Sequence, residues 1–360
     1  NASGTSTKLL LIGAGDTGEK IARDILSNSN DEFVIVGFLD DNIEKIGSSI
    51  HGIPVIDRVV TLNNLSIDFD EILITVPGAS GDQLRRIIDV CKLSGKKFKT
   101  VPSLDELINK DISLQNIRDV SYLDLLGRDE VQLDNDAIEN FIKGKRILIT
   151  GAGGSIGSEL VRQCLKYNPG SLILLDNSEQ NLFNIEQEVS FVHTKTLIRS
   201  VLANIRDKSL LENTFQEYRP QVVIHAAAYK HVPMQELHPW SAVSTNVLGT
   251  LHLVQLSNNF NVEKFVLVST DKAVHPVNIM GATKRLAEKV IQSVDLDNSS
   301  TEFLAVRFGN VLGSSGSAIP TFQKQINQGG PLTITHPEMT RYFMSIQEAS
   351  QLILQCGALG

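Results

Sequence analysis

The sequence predicts an α/β protein built from two doubly wound parallel-sheet domains in tandem. Three observations carry this. Twice, an apolar run of strand length passes straight into a glycine-rich turn and then a helical pattern: KLLLI (8–12) before GAGDTG (13–18), and RILIT (146–150) before GAGGSIG (151–157). After each turn, apolar runs alternate with helix-length polar stretches, the pattern of parallel strands joined by crossover helices. In both halves the second strand ends on a carboxylate, Asp40-Asp41 in the first and Asp176 in the second.

Taken in order, the first half has further strands at 33–38, 71–76 and 97–101. The helix between the last two is read from Leu84, Ile87, Ile88 and Cys91, which recur at helical spacing. A polar stretch follows, within which Asp134-Asn135-Asp136 reads as a helix start. The second half continues with strands at 171–176, 196–203, 221–227, 264–270 and 301–308. The predicted organisation is a first domain over 1–120, a linker over 121–144 and a second domain over 145–360.

A chain of 360 residues has room for about two such domains. Hydrophobic residues make up 42% and charged residues 21%, as in ordinary globular proteins. A net charge of -8 argues against unspecific nucleic-acid binding, so no nucleic-acid partner is expected. Cys91, Cys164 and Cys356 lie far apart, lack metal-ligand spacing and are odd in number, so neither a metal site nor a disulfide framework is expected. The simplest setting is a reducing, cytosolic one. No apolar run approaches the roughly 20 residues of a membrane helix, and no signal peptide is visible. The chain opens on Asn1 rather than Met, which suggests a natural protein that starts earlier and leaves room for a membrane segment ahead of it.

Both glycine-rich turns have the strand–turn–helix context of a Rossmann-like dinucleotide fold, where backbone N–H groups and a helix N-terminus receive a pyrophosphate. Gly151, Gly154 and Gly157 have the spacing of short-chain dehydrogenases, with Ser155 and Ile156 opening the helix. Asp176 is placed to accept from both adenosine ribose hydroxyls and to repel a 2′-phosphate. Asn177 and its followers supply no basic residue, so the expected cofactor is NAD rather than NADP. Asn204 and Ile205, after the third strand, sit where such folds meet the adenine, and Ala226, Ala227 and Ala228 form a small-residue turn beside the cofactor. Gly13, Gly15 and Gly18 form a lone G-x-G-x-x-G, a weaker signal that often marks a fold with no ligand.

Short-chain dehydrogenases carry Tyr-x-x-x-Lys on the helix after the fifth strand, the Tyr moving a proton and the Lys lowering its pKa. Here the stretch reads Met280-Gly281-Ala282-Thr283-Lys284. The Lys stands and a thioether replaces the phenol, so acid–base chemistry must come from elsewhere. The strand just before supplies it: Thr270-Asp271-Lys272 places a hydroxyl, a carboxylate and an amine in a row at the carboxyl end of a parallel strand, the edge where such sheets bind ligands.

That row resembles the Thr-Asp-Glu motif of deoxysugar 4,6-dehydratases, with Lys272 in place of Glu. GAGGSIGSEL (151–160), HAAAYKHVPMQE (225–236), NVLGT (246–250), STDKAV (269–274), RFGNVLGSSGS (307–317) and MTRYFM (339–344) together resemble the bacterial polysaccharide-biosynthesis UDP-N-acetylglucosamine 4,6-dehydratases, over nearly the whole chain. Met280 is similar to the large, membrane-anchored branch. The resemblance implies an extended short-chain dehydrogenase/reductase domain with a small substrate lobe, UDP-N-acetylglucosamine as substrate, and a homo-oligomer of two or more copies. It places the full-length protein at the cytoplasmic side of the inner membrane, with membrane contact only through a segment outside this chain, which itself reads as a soluble fragment.

The implied reaction oxidises C4, eliminates water across C5 and C6 and returns hydride to C6, with retention at C5. Lys272 would be the C5 base, with a lowered pKa, and Asp271 the C6 acid, with a raised one. Thr270 would assist loss of the C4 hydroxyl proton, and Lys284 would be the cation at the nicotinamide ribose. Lys230 and His231 would flank the sugar. Arg307 and Asn310 would line the nucleotide-sugar pocket, Asn310 on the diphosphate, with Arg341 on the diphosphate or uridine side. Asn246 would order backbone near the active Lys, and His225 reads as a core residue. Extended members of the family continue past the position of Gly360, so the substrate lobe is expected to be incomplete here. An epimerase or reductase on the same fold leans on the missing Tyr. A silent nucleotide sensor would explain that loss but not the intact Thr-Asp-Lys row.

Overall fold

A computed structural model describes residues 6–27, 33–101, 117–119, 133–192, 194–294, 299–314, 316–334, 336 and 338–360. The chain divides into two compact units, Asn1–Glu130 and Val131–Gly360. The predicted linker lies largely outside the described residues, over 121–132.

In the first unit β1 (Thr7–Ile12), α1 (Asp16–Ser27), β2 (Phe33–Leu39), β3 (Ser49–Ile50), β4 (Ile53–Asp57), β5 (Glu71–Ile74), α2 (Gly81–Leu93), β6 (Lys97–Thr100) and β7 (Arg118–Asp119) follow one another. The sheet order is β3-β4-β2-β1-β5-β6-β7. The five inner strands are parallel, and β3 and β7 pair antiparallel at the two edges. Strands β3, β4 and β7 were not predicted. Two of them are only two residues long, and β4 carries Pro54, which removes a backbone donor. Leu9 and Leu11 pack into one core layer and Leu10 and Ile12 into the other, so β1 is covered on both faces.

The second unit opens with α3 (Asn135–Ile142), whose N-cap Asp134 accepts from the Ala137 N–H. This helix occupies the end of the predicted linker, yet Ile138, Phe141 and Ile142 are buried in the second unit's core. There follow β8 (Arg146–Thr150), α4 (Ser155–Lys166), β9 (Ser171–Asp176), α5 (Glu179–Ser190), β10 (Leu197–Leu202), α6 (Lys208–Tyr218) and β11 (Val222–His225). Beyond them come α7 (Val232–Leu237), α8 (Pro239–Ala242), a π-helical turn Val243–Gly249, α9 (Thr250–Asn259), β12 (Lys264–Val268), α10 (Ile279–Gln292) and β13 (Glu302–Val306). The chain closes with β14 (Asn310–Val311), α11 (Ala318–Asn327), β15 (Phe343–Met344) and α12 (Ile346–Leu359).

The main sheet has the order β10-β9-β8-β11-β12-β13, every pair parallel. Strand direction of growth reverses at β8, so the crevice above the carboxyl ends of β8, β9 and β11 is the topological switch point of a doubly wound fold. Alternate residues of β8, Ile147 and Ile149 against Leu148, feed two core layers. This is the short-chain dehydrogenase/reductase architecture, and it gathers every strand end named below along one sheet edge.

Candidate active site

The turn after β8 is built for close approach. Gly151 has φ +67°, and a Cβ there would lie 2.8 Å from the Cα of Ala227. A Cβ on Gly157 would lie 1.9 Å from the Gly151 carbonyl, so only glycine lets α4 sit this low on the turn. Gly154 is the N-cap of α4 and offers no side-chain cap, which leaves the first N–H groups of the helix facing the crevice. Ser155 begins the helix, while Ile156 packs against the core.

Asp176 is buried at the end of β9. Its Oδ2 accepts from the Gly153 N–H at 2.9 Å and its Oδ1 from the Ser178 N–H at 2.9 Å. Each oxygen keeps a second lone pair, so the carboxylate is oriented but not used up. Asn177 beside it is exposed. Ala226, Ala227 and Ala228 form the half-buried turn after β11, against which Gly151 rests. These residues fit a dinucleotide: a cradle that a Cβ would fill, an uncapped helix N-terminus and an oriented carboxylate.

Two adenine-side expectations change. The Asn204 side-chain oxygen accepts from the backbone N–H and Nε of its neighbour Arg206, at 3.0 and 3.1 Å. Ile205 turns its side chain into the core, where a Cβ on Gly249 would meet it at 2.7 Å, and its carbonyl faces His252 Nδ1 at 3.4 Å. In the first unit, Asp40 likewise accepts from the Ala14 and Asn42 N–H groups, but Lys45 Nζ also reaches it at 3.3 Å. Burial would raise the Asp40 pKa, and the two N–H groups and Lys45 outweigh it and hold it low.

Beyond β12 the acid–base row forms a short 3-10 turn with Thr270 as N-cap. Thr270 Oγ1 donates to Asp271 Oδ1 at 2.9 Å. Lys272 Nζ donates to the same Oδ1 at 3.0 Å and to Asn310 Oδ1 at 3.0 Å. Burial alone would raise the Asp271 pKa, but the hydrogen bonds from Lys272 and Thr270 outweigh it, and the carboxyl is held below its ordinary value. That is the reverse of the raised pKa expected for an acid. Asn310, expected on the diphosphate, has its amide oxygen on Lys272.

Lys284 is buried on α10 and donates from Nζ to the Val268 carbonyl at 2.5 Å. Burial brings its pKa down to about 8, against the opposing charge of Glu288. Met280, one turn earlier, is buried too and presents no proton-transfer group. Asn246, in the π-helical turn, is buried with its amide committed: Oδ1 accepts from the Tyr229 N–H at 2.8 Å, and Nδ2 donates to the Tyr229 carbonyl and to Thr283 Oγ1, each at 3.0 Å. It therefore joins the loop after β11 to the helix of Lys284, and is not itself exposed to a sugar.

Arg307 was expected in the substrate pocket. Its Nε and Nη2 instead donate to Glu288, at 2.7 and 2.6 Å. Glu288 also accepts from Ser269 Oγ at 2.6 Å and from Arg285 at 3.0 Å. Burial pushes the Glu288 pKa up, and Arg307, Ser269 and Arg285 outweigh it, bringing it down to about 2. Sequence reasoning missed this hub. Its signal was a carboxylate on the apolar stripe of α10, where Met280, Lys284, Ala287, Glu288 and Ile291 are all buried.

Lys230 and His231 are exposed on the loop after β11, and the His231 ring lies against Gly316, where a Cβ would come within 2.4 Å. The loop after β14 thus touches the loop after β11. Arg341 is exposed, and its Nη1 donates to the Thr340 carbonyl at 2.8 Å. His225 is a core residue, as expected, bonded to Thr150 and Thr250.

A family model described as polysaccharide biosynthesis protein matches residues 147–360. The chain is 43% identical to the capsular polysaccharide biosynthesis protein CapD of Staphylococcus aureus, over 97% of this chain and 59% of that one. It is 36% identical to a UDP-N-acetylglucosamine 4,6-dehydratase (inverting) of Campylobacter jejuni, over 59% of this chain and 63% of that protein. A UDP-glucose 4-epimerase of Rickettsia rickettsii is 37% identical over 58% of this chain and 62% of its own length. The chain thus spans less than two thirds of the length of each of these relatives. Dehydratase and epimerase are matched about equally well, so identity alone does not separate the two chemistries.

Proposed function

This chain belongs to the polysaccharide biosynthesis protein family, and from that premise we propose that it is an NAD-dependent 4,6-dehydratase of UDP-N-acetylglucosamine. The observation that carries the reading is the Thr270–Asp271–Lys272 row, hydrogen-bonded in sequence, beside a helix whose usual Tyr is Met280. A hydroxyl, a carboxylate and an amine within one contact chain suit an elimination, which needs a base and an acid at neighbouring carbons. The epimerase-like relative supports a second reading, a C4 epimerase. Met280 weighs against it, because on this fold that chemistry leans on the tyrosine that Met280 replaces.

The dinucleotide, when bound over Gly151, Gly154 and Asp176, supplies a reversible store for hydride. The protein supplies everything else. Asp271 is held ionised, so it begins as an empty proton receptor. The C4 hydroxyl proton is relayed through Thr270 Oγ1 to Asp271 as C4 becomes a ketone. That ketone acidifies the C5 hydrogen. The amine form of Lys272 takes the C5 proton, the C5–H electron pair becomes the C5–C6 double bond, and the C6–O bond breaks. The departing hydroxyl collects the proton held on Asp271 and leaves as water. When hydride reaches C6, Lys272 returns a proton to C5. Protons balance: the one lost from the C4 hydroxyl leaves in the water. The low Asp271 pKa, at odds with an acid that starts protonated, agrees with one loaded by the substrate. Lys284, buried against Val268, contributes positive potential toward the crevice.

Incubation with UDP-N-acetylglucosamine deuterated at C4 tests this directly. The expected product has lost one water by mass spectrometry, carries the label at C6, and gains deuterium at C5 in D₂O. An unchanged mass with inversion at C4 by NMR would establish the epimerase instead.

A further inference from the structure

We propose that Asn310 is a positioning residue for Lys272, which fixes the direction of the amine's lone pair toward the carbon it deprotonates. The inference rests on the reading above, in which Lys272 is the C5 base. Lys272 Nζ has two acceptors, Asp271 Oδ1 and Asn310 Oδ1, each at 3.0 Å. A neutral amine has two N–H bonds and one lone pair. With a single acceptor, the Cε–Nζ bond can still rotate and the lone pair sweeps a cone. With two acceptors, both N–H bonds are committed and the lone pair has one direction left, away from both oxygens.

The second acceptor is neutral, and that matters. A second carboxylate beside Lys272 would favour the charged ammonium, which has no lone pair to use. An amide oxygen orients the amine without adding charge. The lysine also fixes the amide: an N–H donor demands the Asn310 oxygen, so its NH₂ group faces elsewhere and has no partner among the described residues.

Asn310 is well placed for the task because its backbone is held from two sides. Its N–H donates to the Tyr342 carbonyl at 2.9 Å, and the next alternate residue, Leu312, donates to Met344 at 2.9 Å, pinning β14 to β15. On the other side, the Asp271 N–H donates to the Phe308 carbonyl at 3.1 Å. The segment carrying the acid–base row is thereby bonded to the chain two residues before Asn310. The base and its second acceptor come from different strands, β12 and β13–β14, and meet only at the sheet edge.

The test compares Asn310→Ala and Asn310→Asp in the full chain by two readouts. The first needs no sugar. Lys272 is acylated by a limiting amine-directed reagent, and its labelling relative to surface lysines is read by peptide mass spectrometry. Released from its second acceptor in Asn310→Ala, Lys272 should label several-fold faster, whereas Asn310→Asp, which keeps an oxygen at the same position, should label no faster than wild type. The second readout is turnover of UDP-N-acetylglucosamine. Asn310→Ala should lose about 10- to 100-fold in kcat, the scale of a misplaced reacting group, with KM within about twofold. Exchange of the C5 hydrogen of the 4-keto product with D₂O should fall in parallel.

Labelling unchanged in Asn310→Ala, or raised equally in both variants, would overturn the proposal; the second result would mean that β14 had loosened. A KM raised tenfold with kcat kept would overturn it too, in favour of a diphosphate contact. Should the wild type leave UDP-N-acetylglucosamine intact, the functional reading fails, and the labelling still decides whether Asn310 holds Lys272.

Discussion

Met280 stands where this fold usually carries a tyrosine, and the proposed reaction moves its protons through Thr270, Asp271 and Lys272 instead. Met280 is buried on α10, one turn from Lys284, and can only pack. Its replacement by Leu is close to volume-conserving, a change that cores absorb for less than about 1.5 kcal/mol. Met280→Leu should therefore retain turnover within about threefold of wild type. Lys272→Met removes the amine that both Asp271 and Asn310 receive, and should lose at least about a hundredfold, the usual scale of a general base. Steady-state rates on UDP-N-acetylglucosamine would check this. Equal losses in the two variants would remove Lys272 from the mechanism.

Strand β12 and helix α10 form the element pair on which the acid–base row depends. They are joined by Glu288, whose side chain is 2% exposed and which accepts from Ser269 at the end of the strand. Ser269 immediately precedes Thr270, so the hub sets where the row begins. Breaking a buried ion pair by removing one partner costs about 3–5 kcal/mol. Here Arg307 and Arg285 are 37% and 36% exposed, so water would compensate part of that loss. Glu288→Gln keeps the shape and removes the charge. It should destabilise the protein by roughly 2–3 kcal/mol, a discounted share of that range, and reduce turnover although Glu288 touches no reacting group. Urea midpoints of the two proteins give the difference. A shift under about 0.5 kcal/mol, the level of an ordinary surface substitution, would mean the hub is not structural.

On the scale of the molecule, the second unit carries a built-in sensitivity to acid. His225 is buried, with Thr150 of β8 on Nδ1 at 2.7 Å and Thr250 of α9 on Nε2 at 3.0 Å. Thr250 Oγ1 donates its proton to the Asn246 carbonyl at 2.7 Å, so it accepts from Nε2–H, and Nδ1 accepts from Thr150. The ring is neutral and has one tautomer. Burial, with the charge of Lys284 adding to it, brings its pKa down from 6.5 to about 3. Between those values the unfolded chain binds a proton that the folded one refuses. The stability this ring contributes is therefore complete above pH 6.5 and is lost as pH falls toward 3. At pH 5.5 the loss is about 1.4 kcal/mol, one unit of the titration. Gln in place of His225 offers an acceptor and a donor in the same directions and does not titrate. The stability gap between wild type and His225→Gln, from urea midpoints, should change by about that amount from pH 7.5 to 5.5, with wild type losing ground. A gap that does not move with pH would show that His225 is not a buried neutral ring.

What the sequence determined alone is what short-range chemistry determines. An apolar strand feeding a turn that only glycine can make, with a carboxylate ending the next strand, specifies the Gly151 turn and Asp176 without reference to any distant residue. The contacts among Thr270, Asp271 and Lys272 were legible for the same reason, since the three residues are consecutive. Edge strands β3 and β7 were not legible, because two residues have no period and their strand character comes only from the neighbour they pair with. Partnerships across the sheet edge belonged to the tertiary structure. Arg307 read as a pocket cation, and the structure sets it on Glu288 of α10; Asn310 read as a diphosphate contact, and the structure sets its amide oxygen on Lys272; Asn246 read as ordering backbone near the active Lys, and only the fold named its partners, Tyr229 and Thr283. A side chain's role depends on which charge or hydrogen-bond partner shares its few ångströms. In a parallel sheet those partners come from strands separated by a whole crossover, a distance that no local pattern in the sequence encodes.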